Sequence, residues 1–147
     1  MVFRWIEASL LAEAIRQSAW LYPFIEIIHI LGIVLVAGSA ILFDIQLLSQ
    51  KNRKPFIENR YLLSWSKRGL ILAIPSGILL FTTNAIALSR DPIFGLKLLL
   101  LLLALINAWI FHIRVDLPAK RTAARYHAII SIILWISIIS CGRLLAY

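Results

Sequence analysis

Apolar residues run along this chain in four long blocks, about 19–48, 69–88, 92–113 and 122–146, joined by short polar or basic stretches. A helix needs about 20 mostly apolar residues to cross the hydrocarbon of a bilayer, and each block is close to that length or above it. The pattern therefore predicts four membrane-spanning helices. Pro75-Ser76-Gly77 is expected to bend the second, since proline removes a backbone donor and neighbouring helices can satisfy the freed carbonyl. Asp91-Pro92 opens the third, with aspartate as cap and proline at the first helical position. Ahead of the blocks, Phe3, Ile6, Leu10 and Ala14 recur at helical spacing opposite Arg4, Glu7 and Arg16. Residues 2–17 thus read as an amphipathic helix lying on the interface, the alternative being a loosely ordered tail. The predicted fold class is all-α, an integral membrane four-helix bundle with a short N-terminal interfacial helix, formed by residues 1–147 as a single transmembrane domain.

Composition excludes a water-soluble domain. Hydrophobic residues make up 61% of the chain and charged ones 15%, and the mean hydropathy is +0.89; a water-facing surface needs far more polar cover. Cys141 is the only cysteine, which rules out an internal disulfide or a cysteine-built metal site. The first residues lack the basic start and small-residue cleavage site of a signal peptide, so they are expected to stay in the mature protein. Ten of the 15 basic residues fall between the first and second blocks (Lys51, Arg53, Lys54, Arg60, Lys67, Arg68) or between the third and fourth (Arg114, Lys120, Arg121, Arg125). By the positive-inside rule these connections face the cytoplasm and both termini the periplasm, in a bacterial inner membrane. The net charge of +8 is then a topology signal and an attraction to anionic headgroups, not a nucleic-acid footprint.

Against this hydrocarbon background the histidines carry the chemistry. His29, His112 and His127 lie in or at the ends of spanning blocks, where an ionisable side chain is costly and marks function by default. Glu26 and His29 are three residues apart and share a helix face, continued by Ile33, Val36, Ala40 and Asp44. Gly32, Ala37, Gly38, Ser39 and Ala40 leave room for a neighbouring helix or a flat cofactor to approach the backbone. His29 can be satisfied by a hydrogen bond to a neighbour's hydroxyl or to Glu26, or it can serve as a ligand or proton relay. Lys97 and Arg143 fall at a depth comparable to Glu26, so the three are expected to form a charge cluster, with Asn84 or Asn107 as further polar partners. Such a cluster either neutralises charge in packing or receives an anionic group. At the other face, an antiparallel hairpin brings His112 and His127 to similar depth, the usual way a bundle clamps b-type haem. Asp44 is expected to pair with Lys67 or Arg68.

The strings EIIHILGIVLVAGSAILFDIQLL (26–48), GLKLLLLLLALINAWIFH (95–112) and GRLLAY (142–147) resemble a family of small bacterial four-span membrane proteins of uncharacterised function. More distantly, they are similar to the copper-resistance D-type membrane proteins and to the haem-containing membrane protoporphyrinogen oxidases. In the last group His29 matches a first-span histidine and Lys97 a lysine opening the third span; His112 corresponds more loosely to a histidine near the end of that span. The resemblance implies a bundle able to hold haem b through His29. The stretch VLVAGSAILFD departs from the tryptophan-containing and aromatic-proline-arginine pattern of the oxidases, so the fold is expected to be shared and the porphyrin substrate is not implied.

Three classes of function follow. A haem-binding redox protein would carry out electron transport or oxidoreduction of quinone or porphyrin, with His29 as axial ligand, His112 or His127 as further iron or metal ligands, and Glu26, Lys97 and Arg143 about the cofactor. A metal-ion or proton translocator would use Glu26, His29 and Asp44 as a polar path. An accessory subunit would use its small-residue faces to dock in a homo-oligomer or a larger membrane complex. Met1 and Cys141 are the only sulfurs, which ranks copper(I) handling below haem. The residues are compatible with catalysis and with carriage alone.

Overall fold

The computed structural model describes residues 2–49, 60–114 and 121–145. They form seven helices: α1 (Val2–Glu7), α2 (Leu10–Gln17), α3 (Leu21–Ser49), α4 (Arg60–Thr83), α5 (Ala85–Arg90), α6 (Pro92–Arg114) and α7 (Arg121–Leu144). The described part of the chain is all-α. Among the described residues three helices are long and apolar enough to cross a membrane, within α3, α6 and α7; α4 matches them in length but carries Lys67 and Arg68 in its first half. Lys51, Arg53, Lys54 and Lys120, which bear on the orientation argument, lie outside the described residues.

Local chemistry sets the helix ends. The segment read as one amphipathic helix is two, because the Ser9 side chain accepts a hydrogen bond from Ala12 N at 3.3 Å and starts α2 afresh. Ser18 Oγ accepts from Leu21 N at 3.2 Å at the start of α3. Asp91 Oδ1 accepts from Ile93 N at 2.7 Å ahead of Pro92, as expected for α6. The second apolar block is interrupted where its sequence gives little warning. Asn84, with φ −141° and ψ 38°, ends α4 and turns the chain into the short α5.

The main packing is α3 against α4, then α6 against α7, then α3 against α7. The four long helices thus run in the order α4, α3, α7, α6, and among the described residues α4 and α6 meet at the stacked Phe81 and Phe94 rings without broader packing. At the end remote from α1 and α2, where the basic connections attach and which we call the loop end, Phe43, Leu62, Phe111 and Ala124 form a buried cluster. Within it the Phe43 and Phe111 rings meet edge to face, centroids 5.8 Å apart.

At the other end α1 and α2 lie across the α4–α5 break. Ala12 and Ile15 are buried there, and Phe3, Phe81 and Phe94 make successive ring contacts at 6.1 and 5.5 Å. Arg16 donates to Thr83 O at 3.2 Å and to Glu7 O at 2.9 Å, while Glu7 Oε2 accepts from Ile86 N at 2.9 Å. One carboxylate thereby satisfies an amide at the start of α5 that has no partner within its own helix. Glu7→Ala should cost this junction about 1–2 kcal/mol, a five- to thirtyfold faster hydrogen exchange at the Ile86 amide. Unchanged exchange there would mean that the clasp contributes nothing.

Candidate functional site

The ionisable and polar residues inside the helices fall into two groups, about 22 Å apart along α3 from His29 to Asp44. Toward α1 and α2, His29 points into the α3–α4 interface. Its Nδ1 lies 2.9 Å from Ala73 O and 3.1 Å from Ser76 Oγ. A carbonyl only accepts, so the proton sits on Nδ1 and Nε2 carries the lone pair. The Ser76 hydroxyl is spent on Leu72 O, 2.5 Å away in its own helix, and so receives rather than donates toward the ring. The ring lies flush with α4 because residue 77 is glycine; a Cβ there would come within 2.8 Å of His29 Cε1.

Glu26 and Lys97 stand close enough to His29 to act on it electrostatically. Lys97 is half-buried and extends beside Cys141 and Gly142 of α7, its Nζ 3.7 Å from where a Gly142 Cβ would sit. Glu26 and Arg143 are exposed on the flanks of their helices. The structure therefore gathers Glu26, His29 and Lys97 in one neighbourhood. Asn84 is exposed at the α4–α5 break, and Asn107 belongs to the other group.

That second group surrounds a cavity of about 380 Å³ with walls from α3, α4, α6 and α7. Its lining is almost wholly apolar, interrupted by a few polar side chains including Asp44, Asn107, His127 and Ser131. Asn107 Nδ2 donates to His127 O at 3.1 Å, which fixes the amide and turns Oδ1 toward His127 Nδ1, 2.7 Å away. An amide oxygen only accepts, so His127 carries its proton on Nδ1 and Nε2 is again the lone-pair nitrogen. The Phe111 ring meets the imidazole edge to face at 6.3 Å.

Asp44 is 6% exposed. Ser131 hydrogen-bonds its carboxyl, yet Asp44 Oδ2 has no hydrogen-bond partner among the described residues. The expected ion pair with Lys67 or Arg68 is not formed: both side chains are exposed, and the Arg68 guanidinium stacks over the Trp65 ring at 5.1 Å. The reason is rotational, since Asp44 faces α7 and the cavity while the basic pair occupies the outer face of α4.

The two histidines with described side chains, His29 and His127, do not converge. His29 and His127 belong to different groups, and no cluster of three or more His, Cys, Asp or Glu side chains suited to a metal ion occurs among the described residues. His112 lies near the end of α6, and its side chain is outside the described part of the structure. Reading by residue type pairs His127 with His112, gives Asn107 to the other group and passes over Ser131. Hairpin symmetry carries the missing signal: residues 107 and 127 are equidistant from residue 117 in the connection between α6 and α7, so they meet at one level. Compared with known proteins, the chain matches no family model, no curated relative and no solved structure.

Proposed function

We propose that the chain is a membrane-embedded redox protein, a four-span bundle of the bacterial inner membrane with both termini outside, that takes a flat lipophilic ligand of the quinone or porphyrin class into the loop-end cavity. The observation that carries this reading is His127, whose Nε2 lone pair is fixed by Asn107 on the wall of an apolar cavity between membrane helices. Such a wall with a few converging polar groups is the usual form of a small-molecule site, and 380 Å³ is within the usual range of about 300–1,000 Å³. In this reading α4 is the second span, with its 69–83 stretch in hydrocarbon and Lys67 and Arg68 reaching for the headgroups.

Haem b is the proposed cofactor, held by His29. The donor chemistry fits, since Nδ1–H anchored on a backbone carbonyl is how metal-binding histidines are oriented. Lys97 nearby supplies a cation for carboxylate groups. A bound haem would supply one-electron exchange at its iron. Ala73 and Ser76 orient the imidazole, Gly77 lets it seat against α4, and Lys97 balances negative charge. Oxidised and reduced absorption spectra of protein purified from haem-replete cells are the test. A Soret band with reduced b-type bands, lost in His29→Ala and kept in His127→Ala, is the expected result. A colourless protein after haem reconstitution would overturn the haem assignment.

A further inference from the structure

The loop-end cavity is open on its lipid side. α4 and α6 each contribute a wall, yet among the described residues they meet at the stacked Phe81 and Phe94 rings without broader packing. Farther toward the loop end, Ser66, Leu70 and Ile74 recur every fourth residue along one face of α4, and Leu101 and Leu105 do so along α6. All five line the cavity, and Ile74 and Leu105 are nevertheless 56% and 60% exposed. Wall residues that are also open to the surroundings mark a slit between the two stripes.

The depth of the slit restricts what can use it. Counted from the outer ends of α4 and α6, at Thr83 and Pro92, Ile74 and Leu105 lie about 13 and 20 Å inward. In a four-span protein the slit therefore opens onto acyl chains near the middle of a hydrocarbon layer about 30 Å thick. A charged head reaching that depth loses its hydration, and the described lining residues include no lysine or arginine to receive an anion. A porphyrin of the haem type brings carboxylates; a neutral ring on a long hydrocarbon tail meets neither obstacle. Inside the cavity one hydroxyl is unspent. Those of Ser39, Ser76 and Thr83 donate to carbonyls of their own helices, whereas Ser66 makes no hydrogen bond among the described residues. Ser66 is 17 residues before Thr83 and His127 is 17 before Leu144, so the two stand at one level on different hairpins.

We propose that the cavity takes an isoprenoid quinone sideways from the bilayer, its ring beside His127 with one ring oxygen on the Ser66 hydroxyl, and its tail leaving through the slit between Ile74 and Leu105. A hydroxyl both donates and accepts, so Ser66 serves a ring carbonyl and a ring hydroxyl alike. The tail stays in hydrocarbon throughout and only the ring changes surroundings. This inference rests on the ligand reading above and deepens it: it selects quinone over porphyrin, gives the route of entry and adds Ser66 as a contact.

Equilibrium binding of decyl-ubiquinone and of tail-less ubiquinone-0 to the full chain in lipid nanodiscs tests it without any redox turnover. Affinities are expressed as mole fractions in the lipid, which removes the tail's own partitioning. Leu105→Trp fills the slit from α6 and Ile74→Trp from α4, at positions already open to lipid, and circular dichroism and elution volume show that the fold is kept. Each should weaken decyl-ubiquinone at least tenfold and leave ubiquinone-0 within twofold. Ser66→Ala should weaken both ligands alike, by about two- to tenfold for one neutral hydrogen bond. Equal loss of both ligands in the tryptophan variants, loss of neither, a tail-less ring that does not bind, or a Ser66→Ala protein that binds as the native chain does would overturn the proposal. Methyl laurate displacing decyl-ubiquinone as effectively as ubiquinone-0 does would identify a lipid chain as the occupant and overturn the quinone assignment. The readings fail separately. A native chain that binds neither quinone removes the cavity ligand of the proposed function as well, a colourless protein with the expected pattern removes the haem alone, and a chain that binds both quinones but ignores all three variants removes this inference alone.

Discussion

A side chain placed at Gly69 is expected to separate α4 from α3 and abolish the folded, monodisperse protein. A Cβ at that position would lie 2.8 Å from Gly32 O and from Val36 N and 2.7 Å from Val36 Cγ2. From the other side, a Cβ at Gly32 would lie 2.6 Å from Ala73 N and 2.9 Å from Ala73 Cα. The obstacles are backbone atoms, which a rotamer change cannot move. None of the described glycines has positive φ, so these two serve proximity and not backbone conformation. In lipid, helix association draws on close van der Waals packing more than on exclusion of water, and small residues at a crossing are what permit it. Gly69→Val should cost more than the roughly 1–3 kcal/mol typical of overpacking, because the whole α3–α4 contact must open. Gly38→Ala and Gly95→Ala meet nothing within 4 Å and should be neutral or stabilising by up to about 1 kcal/mol. Denaturation in mixed detergent followed by circular dichroism separates the cases. A Gly69→Val protein as stable as Gly38→Ala would show that the two backbones do not meet.

Asp44→Leu is expected to act in the opposite sense, making the resting protein more stable. The native carboxyl is buried with one oxygen unpaired, and an apolar side chain of similar size removes that cost, about 1–3 kcal/mol. Ser131 loses its partner but can turn to a carbonyl of its own helix, as Ser137 and Ser140 do. The cavity beside residue 44 accommodates the change in shape. In the proposed reading the same variant should also weaken binding of a quinone-class ligand in the loop-end cavity, which residue 44 lines. Stability gained together with binding lost is the usual signature of a group kept for its ligand and not for the fold. A fall in stability comparable to that of Gly69→Val would instead make Asp44 a structural residue, and the thermal midpoint in detergent decides between them.

Much of the architecture was legible because period and length are strong signals in hydrocarbon. The bounds of α3, α6 and α7 follow the apolar blocks, and Asp91-Pro92 starts α6 where its capping chemistry requires. The break at Asn84 was not legible, since the residues on both sides are apolar and α1 and α2, packing from a distant part of the sequence, hold the chain there. The candidate site was read in half. Glu26, His29 and Lys97 do come together, because depth along each span follows from counting residues. Asp44 was misread because a carboxylate near a basic connection suggests an ion pair, while the rotation of α3 that turns it toward Ser131 is set by the glycine contact with α4, and no local pattern encodes that. Asn107 was misassigned for want of the hairpin symmetry that places it against His127.

Two joints of the molecule differ in kind. α3 is locked to α4 backbone to backbone at Gly32 and Gly69, and α6 is tied to α7 by the reciprocal bonds between Asn107 and His127. Each hairpin is therefore a stiff leaf, and the leaves meet along α3 and α7 like the spine of a book whose outer edges are α4 and α6. Those edges are tied at one end by α5 and the stacked Phe81 and Phe94 rings, so it is the width toward the loop end that can change without either hairpin deforming. Sideways squeeze from the surrounding lipid bears directly on that width, so exchange of a molecule held between the pages would follow the mechanical state of the bilayer as well as its chemistry.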